Sequence, residues 1–346
     1  MSTTNFPSTF KAARIHEVGG KFQLDDVPFN SQPTEGQVIV KVLASGVCHT
    51  DAAAVYDVLG SSAHYPLTPG HEIAGKVVLV GPGEKRWKVG DYVGAGFHGG
   101  HCHVCDACRR GNFINCETKY INGILSDGGH AEYVTLRTES IVSLPDDLDP
   151  VAAAPLLCAG VTTFNSLRSL HLSPGSLVAV HGIGGLGHLA IQFARASGYR
   201  VVALSTSASK AKLAKELGAH IYIDGSQENQ TEALKKLGGA KAILATAPHA
   251  ESISALIPAL AVDGTLLLLA APSSNLDVSG GPMIFSQTAV KGWNTGRPAD
   301  EEDTVQFAVQ AGIKPMTETF PLERVQEAFD MMMANQVRFR AVLTFE

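Results

Sequence analysis

Short apolar runs, broken repeatedly by glycine and proline, fill the first 150 residues, and their spacing predicts strands rather than helices. The clearest are 38–43, 73–80 and 133–136, while Gly81, Pro82 and Gly83 make a turn before a returning strand at 89–93. No 3.6-residue period lasts beyond about three turns in this half. From about Pro155 the pattern changes. A helix is expected over 159–170, and strands at 177–181, 200–204, 220–224, 242–247 and 265–270 then alternate with helices at 188–197, 208–217, 230–237 and 252–261. Such alternation predicts an α/β fold with a doubly wound parallel sheet and right-handed crossovers. Beyond Trp293 the pattern is less regular, with helices at 304–311 and 322–333 and a last strand at 340–345. Met331, Met332 and Met333 read as packing, not as part of a cofactor site. The chain is thus expected to form a β-rich domain, 1–154, an alternating domain, 155–293, and a tail, 294–346, that returns to the first domain.

Composition narrows the class. At 346 residues there is length for two domains, each with its own core. Hydrophobic residues make up 45% and charged residues 17%, which fits a compact folded chain and not a disordered one. The net charge of −6, with no basic cluster, argues against nucleic acid or an anionic membrane as partner. The longest apolar stretch, 266–271, is far short of a membrane span. Residues 1–7 carry neither a charged n-region nor an apolar h-region, so a cytoplasmic location with reduced thiols is expected.

Reduced thiols need an account other than disulfides. Cys102, Cys105, Cys108 and Cys116 stand at C-x₂-C-x₂-C-x₇-C spacing in a loop rich in glycine and histidine. Four thiolates this close can close a tetrahedron around zinc, leaving no open position. Such a structural site would fold a lobe, about 98–118, that has little core of its own. His98, His101 and His103 beside it are expected to be solvated, because zinc prefers the softer sulfur. The other two cysteines are Cys48, in Cys48-His49-Thr50-Asp51 just after the run 38–43, and Cys158. With His71, from Gly70-His71-Glu72, they make a Cys₂His set, the pattern of a catalytic zinc with one open position. Two zinc ions per chain are expected, and no thiol remains for a disulfide or a nucleophile.

Gly182, Gly184 and Gly187 spell G-x-G-x-x-G directly between the strand 177–181 and the helix 188–197, the context that makes this string a dinucleotide site. Gly182 allows the tight turn, Gly184 the approach of a pyrophosphate, and Gly187 close packing of helix on strand. Gly185 and Leu186 complete the loop, and the helix N-terminus faces the phosphates. The next strand, 200–204, ends in Ser205, Thr206 and Ser207, with Lys210 three residues on. An NAD site usually carries Asp or Glu here for the ribose 2′-hydroxyl. Hydroxyls and Lys210 could instead bond a 2′-phosphate that a carboxylate would repel. NADP(H) is therefore favoured, and NAD(H) stays open because Ser and Thr are also common turn formers.

Gly46-Val47-Cys48-His49-Thr50-Asp51, Gly70-His71-Glu72, the four-cysteine lobe, Leu157-Cys158-Ala159-Gly160-Val161-Thr162 and the glycine loop follow one another in a specific order. Together they resemble the zinc-dependent medium-chain alcohol dehydrogenases, of the short microbial type, over essentially the whole chain. The resemblance implies a GroES-like catalytic domain, a Rossmann domain and a cleft between them. It implies a catalytic zinc on Cys48, His71 and Cys158. Glu72 corresponds to an acid near the metal, and Asp51 to the carboxylate that orients His71, a task metal-ligating histidines generally require. Thr50 corresponds to the hydroxyl that bonds the alcohol. His49 and Arg340 match cations at the cofactor pyrophosphate, Thr162 a contact to the nicotinamide, and Phe97 a large side chain lining the substrate pocket. The implied reaction is reversible hydride transfer between a primary or secondary alcohol, or its aldehyde or ketone, and NAD(P), with zinc as Lewis acid. A homo-oligomer is implied too, a tetramer before a dimer, with the final Rossmann strand and 283–285 as the contact. One position departs from the family: many members carry a histidine five residues after the first zinc ligand, ending a proton relay, where this chain has Ala53.

Two rival functions are weaker. A polyol dehydrogenase of the sorbitol type usually uses a carboxylate as third protein ligand, where Cys158 stands here. A non-catalytic zinc- and nucleotide-binding sensor would have no use for an open Cys₂His set or for Thr50. The substrate depends on the loops 55–65 and 283–296, whose shape does not follow from sequence.

Overall fold

The structure is a computed structural model that describes residues 6–58, 60 and 64–345. The pocket loop 55–65 therefore lies only partly within the described residues. The chain divides into two compact units. One holds the residues up to Cys158 with Gly296–Phe307 and the segment from Pro315 on; the other holds Ala159–Thr295 and Ala308–Lys314. The boundaries differ from 155 and 293 for local reasons. The helical run Pro150–Arg168 passes through 155 without a break. The side chain of Gln192 bonds both the N–H and the C=O of Lys314, which holds 308–314 on the second unit.

The sheet of the first unit runs in the order Thr317–Pro321, Arg340–Thr344, Gln37–Val47, Ile73–Val80, Tyr92–Ala95, Ile141–Ser143, and Tyr133–Arg137 also pairs with Gln37–Val47. Gln37–Val47 is the central strand and is longer than the run 38–43 predicts. Its last residues, Ala44, Ser45 and Gly46, are small, so hydrophobic patterning does not register them, yet all three are buried. This extension carries Cys48. The last strand pairs antiparallel with the same end, Ala341 opposite Val47, which brings Arg340 beside the first ligand. The strand expected at 89–93 begins only at Tyr92, because Gly90, at φ +96°, and a bond from the Lys88 N–H to Asp91 turn the chain before it. Val38, Val40, Val42, Ile73, Val77, Trp87, Val93, Leu136 and Ile141 form the core on this sheet. Full burial of such side chains stabilises by about 1.5–3 kcal/mol each.

Instead of one helix at 159–170, the chain forms helix Pro150–Pro155, a π-helical turn Leu156–Gly160, and helix Val161–Arg168. Pro155 has no N–H to give to the i−4 carbonyl, and the wider turn follows it directly. This run is longer than 266–271 and is apolar enough to cross a membrane, but 83% of it is buried, so it is a core element.

The four-cysteine lobe corrects one expectation. His98 and His101 are not solvated: they are 2% and 6% exposed. His98 Nε2 lies 3.0 Å from His101 Nδ1, and the His101 ring stacks on Phe113 with centroids 4.0 Å apart. The lobe has few apolar side chains, so imidazole rings fill its interior. Burial, with His101 adding to it, brings His98 down to about 4, which keeps the ring neutral. His103 alone of the three is exposed.

The second unit is a six-stranded parallel sheet in the order Ile221–Asp224, Arg200–Ser205, Leu177–His181, Ala240–Ala245, Leu260–Leu268, Ala289–Gly292. This is the doubly wound order 3-2-1-4-5-6. Five of its strands are legible in the sequence. The sixth, Ala289–Gly292, is mostly exposed and reads Ala-Val-Lys-Gly, so no apolar run marks it. Ala179, Val202, Leu204, Ile223, Leu234, Ile243, Ile253 and Leu266 form the core of this unit.

Candidate active site

In the first unit, three segments far apart in sequence converge. Cys48 follows the central strand, His71 and Glu72 precede Ile73–Val80, and Cys158 sits on the π-helical turn. One donor atom each from Cys48, His71, Glu72 and Cys158 lies within 4.8 Å of the other three. The two sulfurs are 4.0 Å apart. A disulfide would need about 2.05 Å, whereas Zn–S bonds of about 2.3 Å put tetrahedral sulfurs about 3.8 Å apart. The Nε2 of His71 is buried and has no hydrogen-bond partner. Such an atom is costly to bury unless something coordinates it, so the donor set fits zinc. The lobe repeats the geometry, with 4.0 Å between Cys102 and Cys108 and between Cys105 and Cys116. Backbone N–H groups of Cys102 and Cys105 donate to the sulfurs of Cys116 and Cys102 at 3.4 and 3.3 Å, as thiolates would require.

Asp51 is fully buried. Its Oδ1 accepts from His71 Nδ1 at 3.0 Å and its Oδ2 from the Cys48 N–H at 2.8 Å. Burial works against its charge, but the imidazoles of His71 and His130 outweigh it and hold the carboxyl well below the usual range. With the proton on Nδ1, His71 presents the lone pair of Nε2 to the metal position. Glu72 lies behind the same ligands, 3.4 Å from Arg340 Nη2, and burial pushes its carboxyl up to about 8 against the pull of that guanidinium. Gly46 makes room for it, since a Cβ there would stand 2.0 Å from Glu72 Oε2.

Thr50 Oγ1 is 3.6 Å from the Cys48 sulfur, and Phe97 packs edge-on to His71 with ring centroids 6.0 Å apart. His49 is exposed. Arg340 takes on a task besides the one expected of it. It is buried, with Nη1 donating to the Val47 carbonyl at 3.3 Å and Nη2 facing Glu72. A buried carboxyl beside metal ligands needs such a partner.

Three residues near this centre are not legible in the sequence. His130 and Ser45 lie behind Asp51, bonded to each other at 2.9 Å. Glu301 packs its carboxyl against Gly96, where a Cβ would come within 2.3 Å of Oε1 and 2.4 Å of the Leu157 carbonyl. Burial holds Glu301 well above the usual carboxylate range. Its acidic neighbours suggest a solvated helix start, yet Glu301, Thr304, Val305 and Ala308 share one buried face at helical spacing. That period is the signal that could have found it.

In the second unit the glycine loop follows Leu177–His181 and opens helix Gly187–Ala196. Gly182 has φ +92°, and a Cβ on Gly187 would lie 2.0 Å from the Gly182 carbonyl. Gly184 meets nothing within 4 Å, so its backbone borders open space, as a bound pyrophosphate would need. Lys210 Nζ donates to the Ile183 carbonyl at 3.0 Å, tying the loop to the next turn. Ser207 Oγ accepts from the Ser209 N–H at 3.3 Å, and Thr206 is exposed. Ser205 stands in register with Asp224 on the neighbouring strand, whose Oδ2 is buried without a partner. A carboxylate therefore does lie near the end of Arg200–Ser205, supplied from the next strand and not from the turn itself. Thr162 is buried in helix Val161–Arg168.

Residues 34–146 match the family model described as the alcohol dehydrogenase GroES-like domain, and residues 185–310 match that of a zinc-binding dehydrogenase. The alcohol dehydrogenase patD of Penicillium expansum is 46% identical over 343 residues, 99% of each chain. Among solved structures, a cinnamyl alcohol dehydrogenase from Sorghum bicolor matches with a TM-score of 0.87 at 30% identity, over 97% of each chain. The structure of CAD from Helicobacter pylori complexed with NADP(H) matches with a TM-score of 0.85 at 25% identity, over 98% of this chain and 99% of that one. A GroES-like unit with a Cys₂His set, a parallel dinucleotide-type sheet and relatives along the full length agree: the chain belongs to the zinc-dependent medium-chain dehydrogenase/reductase family, as one of its alcohol dehydrogenases.

Proposed function

We propose that this enzyme interconverts primary or secondary alcohols with their aldehydes or ketones at the Cys48–His71–Cys158 centre, holds two zinc ions per chain and prefers NADP(H). The observation that carries this is the buried, unpartnered Nε2 of His71 beside two sulfurs 4.0 Å apart. Zinc held by Cys48, His71 and Cys158 would supply a Lewis acid there, and the nicotinamide the hydride acceptor or donor. The protein's own groups do the rest. Asp51 keeps the proton on His71 Nδ1 and so fixes that ring. Thr50 Oγ1 would take the proton of the substrate hydroxyl and pass it to water, since Ala53 cannot carry it further. Phe97 walls the substrate side and excludes water. Arg340 balances Glu72. Thr162 would meet the nicotinamide, and Gly182, Gly184, Gly185, Leu186 and Gly187 would receive the pyrophosphate.

The hydroxyls of Ser205, Thr206 and Ser207, with Lys210 nearby, support NADP(H). Asp224 supports the second reading, NAD(H), because a carboxylate near the 2′ position disfavours a phosphate. The two separate in kcat/KM for benzyl alcohol, benzaldehyde and a panel of further alcohols and aldehydes, with both cofactors, in wild type and Ser205→Asp. We expect wild type to prefer NADPH and Ser205→Asp to reverse the preference. A wild type about tenfold better with NADH, or 1.4 kcal/mol in favour of NAD, would refute the NADP assignment. Sorbitol turned over faster than any of the panel would move the enzyme to the polyol class, and no turnover at all would favour a sensor.

We further propose a cytoplasmic homotetramer. Six thiols placed as metal ligands suit a reducing compartment. Ile284 and Phe285, 77% and 91% exposed on helix Gly280–Ser286, and the open edge of strand Ala289–Gly292 offer an apolar contact for a second copy. Light scattering at micromolar concentration should give a tetramer, and a monomer would rule it out.

A further inference from the structure

Asp51 is served by a second histidine that the mechanism above does not use. His130 is fully buried, as are Ser45, Asp51 and His71. Its Nδ1 lies 2.9 Å from Ser45 Oγ, and its Nε2 lies 3.5 Å from Asp51 Oδ2 and finds no other partner. The His130 ring packs against the peptide just before His71. A Cβ on Gly70 would stand 2.5 Å from His130 Nδ1, so glycine there is a condition for the ring's position. Backbone bonds fasten the two segments, from His130 N to the Pro69 carbonyl at 3.0 Å and from Gly129 N to the Gly70 carbonyl at 2.9 Å.

We propose that His130 is a positioning residue for the metal centre: with Ser45 behind it, it holds the second oxygen of Asp51 and thereby fixes His71 toward the metal. The donors run in one consistent direction. The Ser45 hydroxyl donates to His130 Nδ1, and His130 Nε2–H points to Asp51 Oδ2. Asp51 Oδ1 accepts from His71 Nδ1–H, and His71 Nε2 is left with a lone pair for the metal. Each tautomer is set by the bond its other nitrogen makes. Without His130, Asp51 keeps the Cys48 N–H on Oδ2 and His71 on Oδ1 but loses the second group facing Oδ2. Its carboxylate is then held less firmly, and the ligand it orients loosens. Outer partners of a ligating histidine typically change metal affinity or activity by 10–100-fold when removed.

This inference rests on Cys48, His71 and Cys158 forming a metal site, and the test separates the two. Zinc release from the purified holoenzyme to the chromophoric chelator 4-(2-pyridylazo)resorcinol should show two phases, one per site, and Cys48→Ser should lack one of them. His130→Phe, which keeps a ring but donates nothing, should speed that phase by about tenfold or more and leave the four-cysteine phase in place. His130→Gln can donate from its amide to Asp51 and should return the rate close to wild type. Ser45→Ala should fall between them. The cobalt-substituted His130→Phe protein should show altered visible d–d bands, while the Gln variant keeps those of wild type. Wild-type release from His130→Phe, or equal acceleration by Phe and Gln, would overturn the positioning role. If His130→Phe does not fold, Ser45→Ala decides, and a wild-type rate there overturns the role. If Cys48→Ser loses no phase, the metal reading fails and this inference falls with it.

Discussion

Cys48→Ser should give a folded protein that keeps the four-cysteine zinc, loses the other zinc and no longer turns over alcohols. The substitution replaces sulfur with oxygen at almost the same volume, at a buried position just after the central strand, so packing changes little. A serine hydroxyl keeps its proton at neutral pH and is the wrong ligand for a borderline-soft ion, which leaves two protein ligands where three are needed. The sheet under the site has its own apolar core, so the thermal midpoint should stay within a few degrees of wild type. Lewis-acid stabilisation is worth several kcal/mol, so kcat/KM should fall by on the order of 10⁴-fold or more. Metal analysis, a thermal melt and steady-state kinetics on one preparation read all three. Activity within tenfold of wild type would mean that the chemistry does not use this centre.

Cys105→Ser should do the reverse, costing stability first. The lobe's helical elements are a four-residue helix, Asp106–Arg109, and a three-residue turn, Phe113–Asn115. Neither length is stable as an isolated helix. What holds them is the cluster in which Cys105 Sγ stands 4.0 Å from Cys116 Sγ and the Cys105 N–H bonds the Cys102 sulfur. Metal binding in such a lobe is folding energy, and zinc in small folded sites contributes on the order of 10 kcal/mol or more. Soluble yield and thermal midpoint should both drop. Arg109 and Arg110 are exposed on this segment, so limited trypsin digestion should cut there in the variant and spare the wild type. A variant that melts like wild type and resists trypsin would show that the lobe folds without its metal.

How much of this could be seen in the sequence depended on how local each feature is. The four-cysteine spacing and the glycine loop are local, and residue type with spacing sufficed for both. Cys48, His71 and Cys158 are scattered, and each alone is weak; their legibility came from the mixture of ligand types around each and from their order. What stayed hidden is non-local. His130 reaches Asp51 only because two loops lie side by side, and nothing in Gly128-Gly129-His130 marks it. Asp224 meets Ser205 only through strand register. His98 and His101 look like surface loop residues, because burying polar rings is a response to a lobe short of apolar side chains. The π-helical turn that carries Cys158 had a visible cause in Pro155, but a proline inside an apolar helical run predicts a disturbance without fixing its form.

The most direct test of the whole account is the zinc content of fully active enzyme. Purified wild-type protein, dialysed against metal-free buffer and assayed for turnover on the same sample, should hold two zinc ions per chain by mass spectrometric metal analysis: one in Cys102, Cys105, Cys108 and Cys116, and one in Cys48, His71 and Cys158. One zinc per chain in an enzyme with full activity would contradict it.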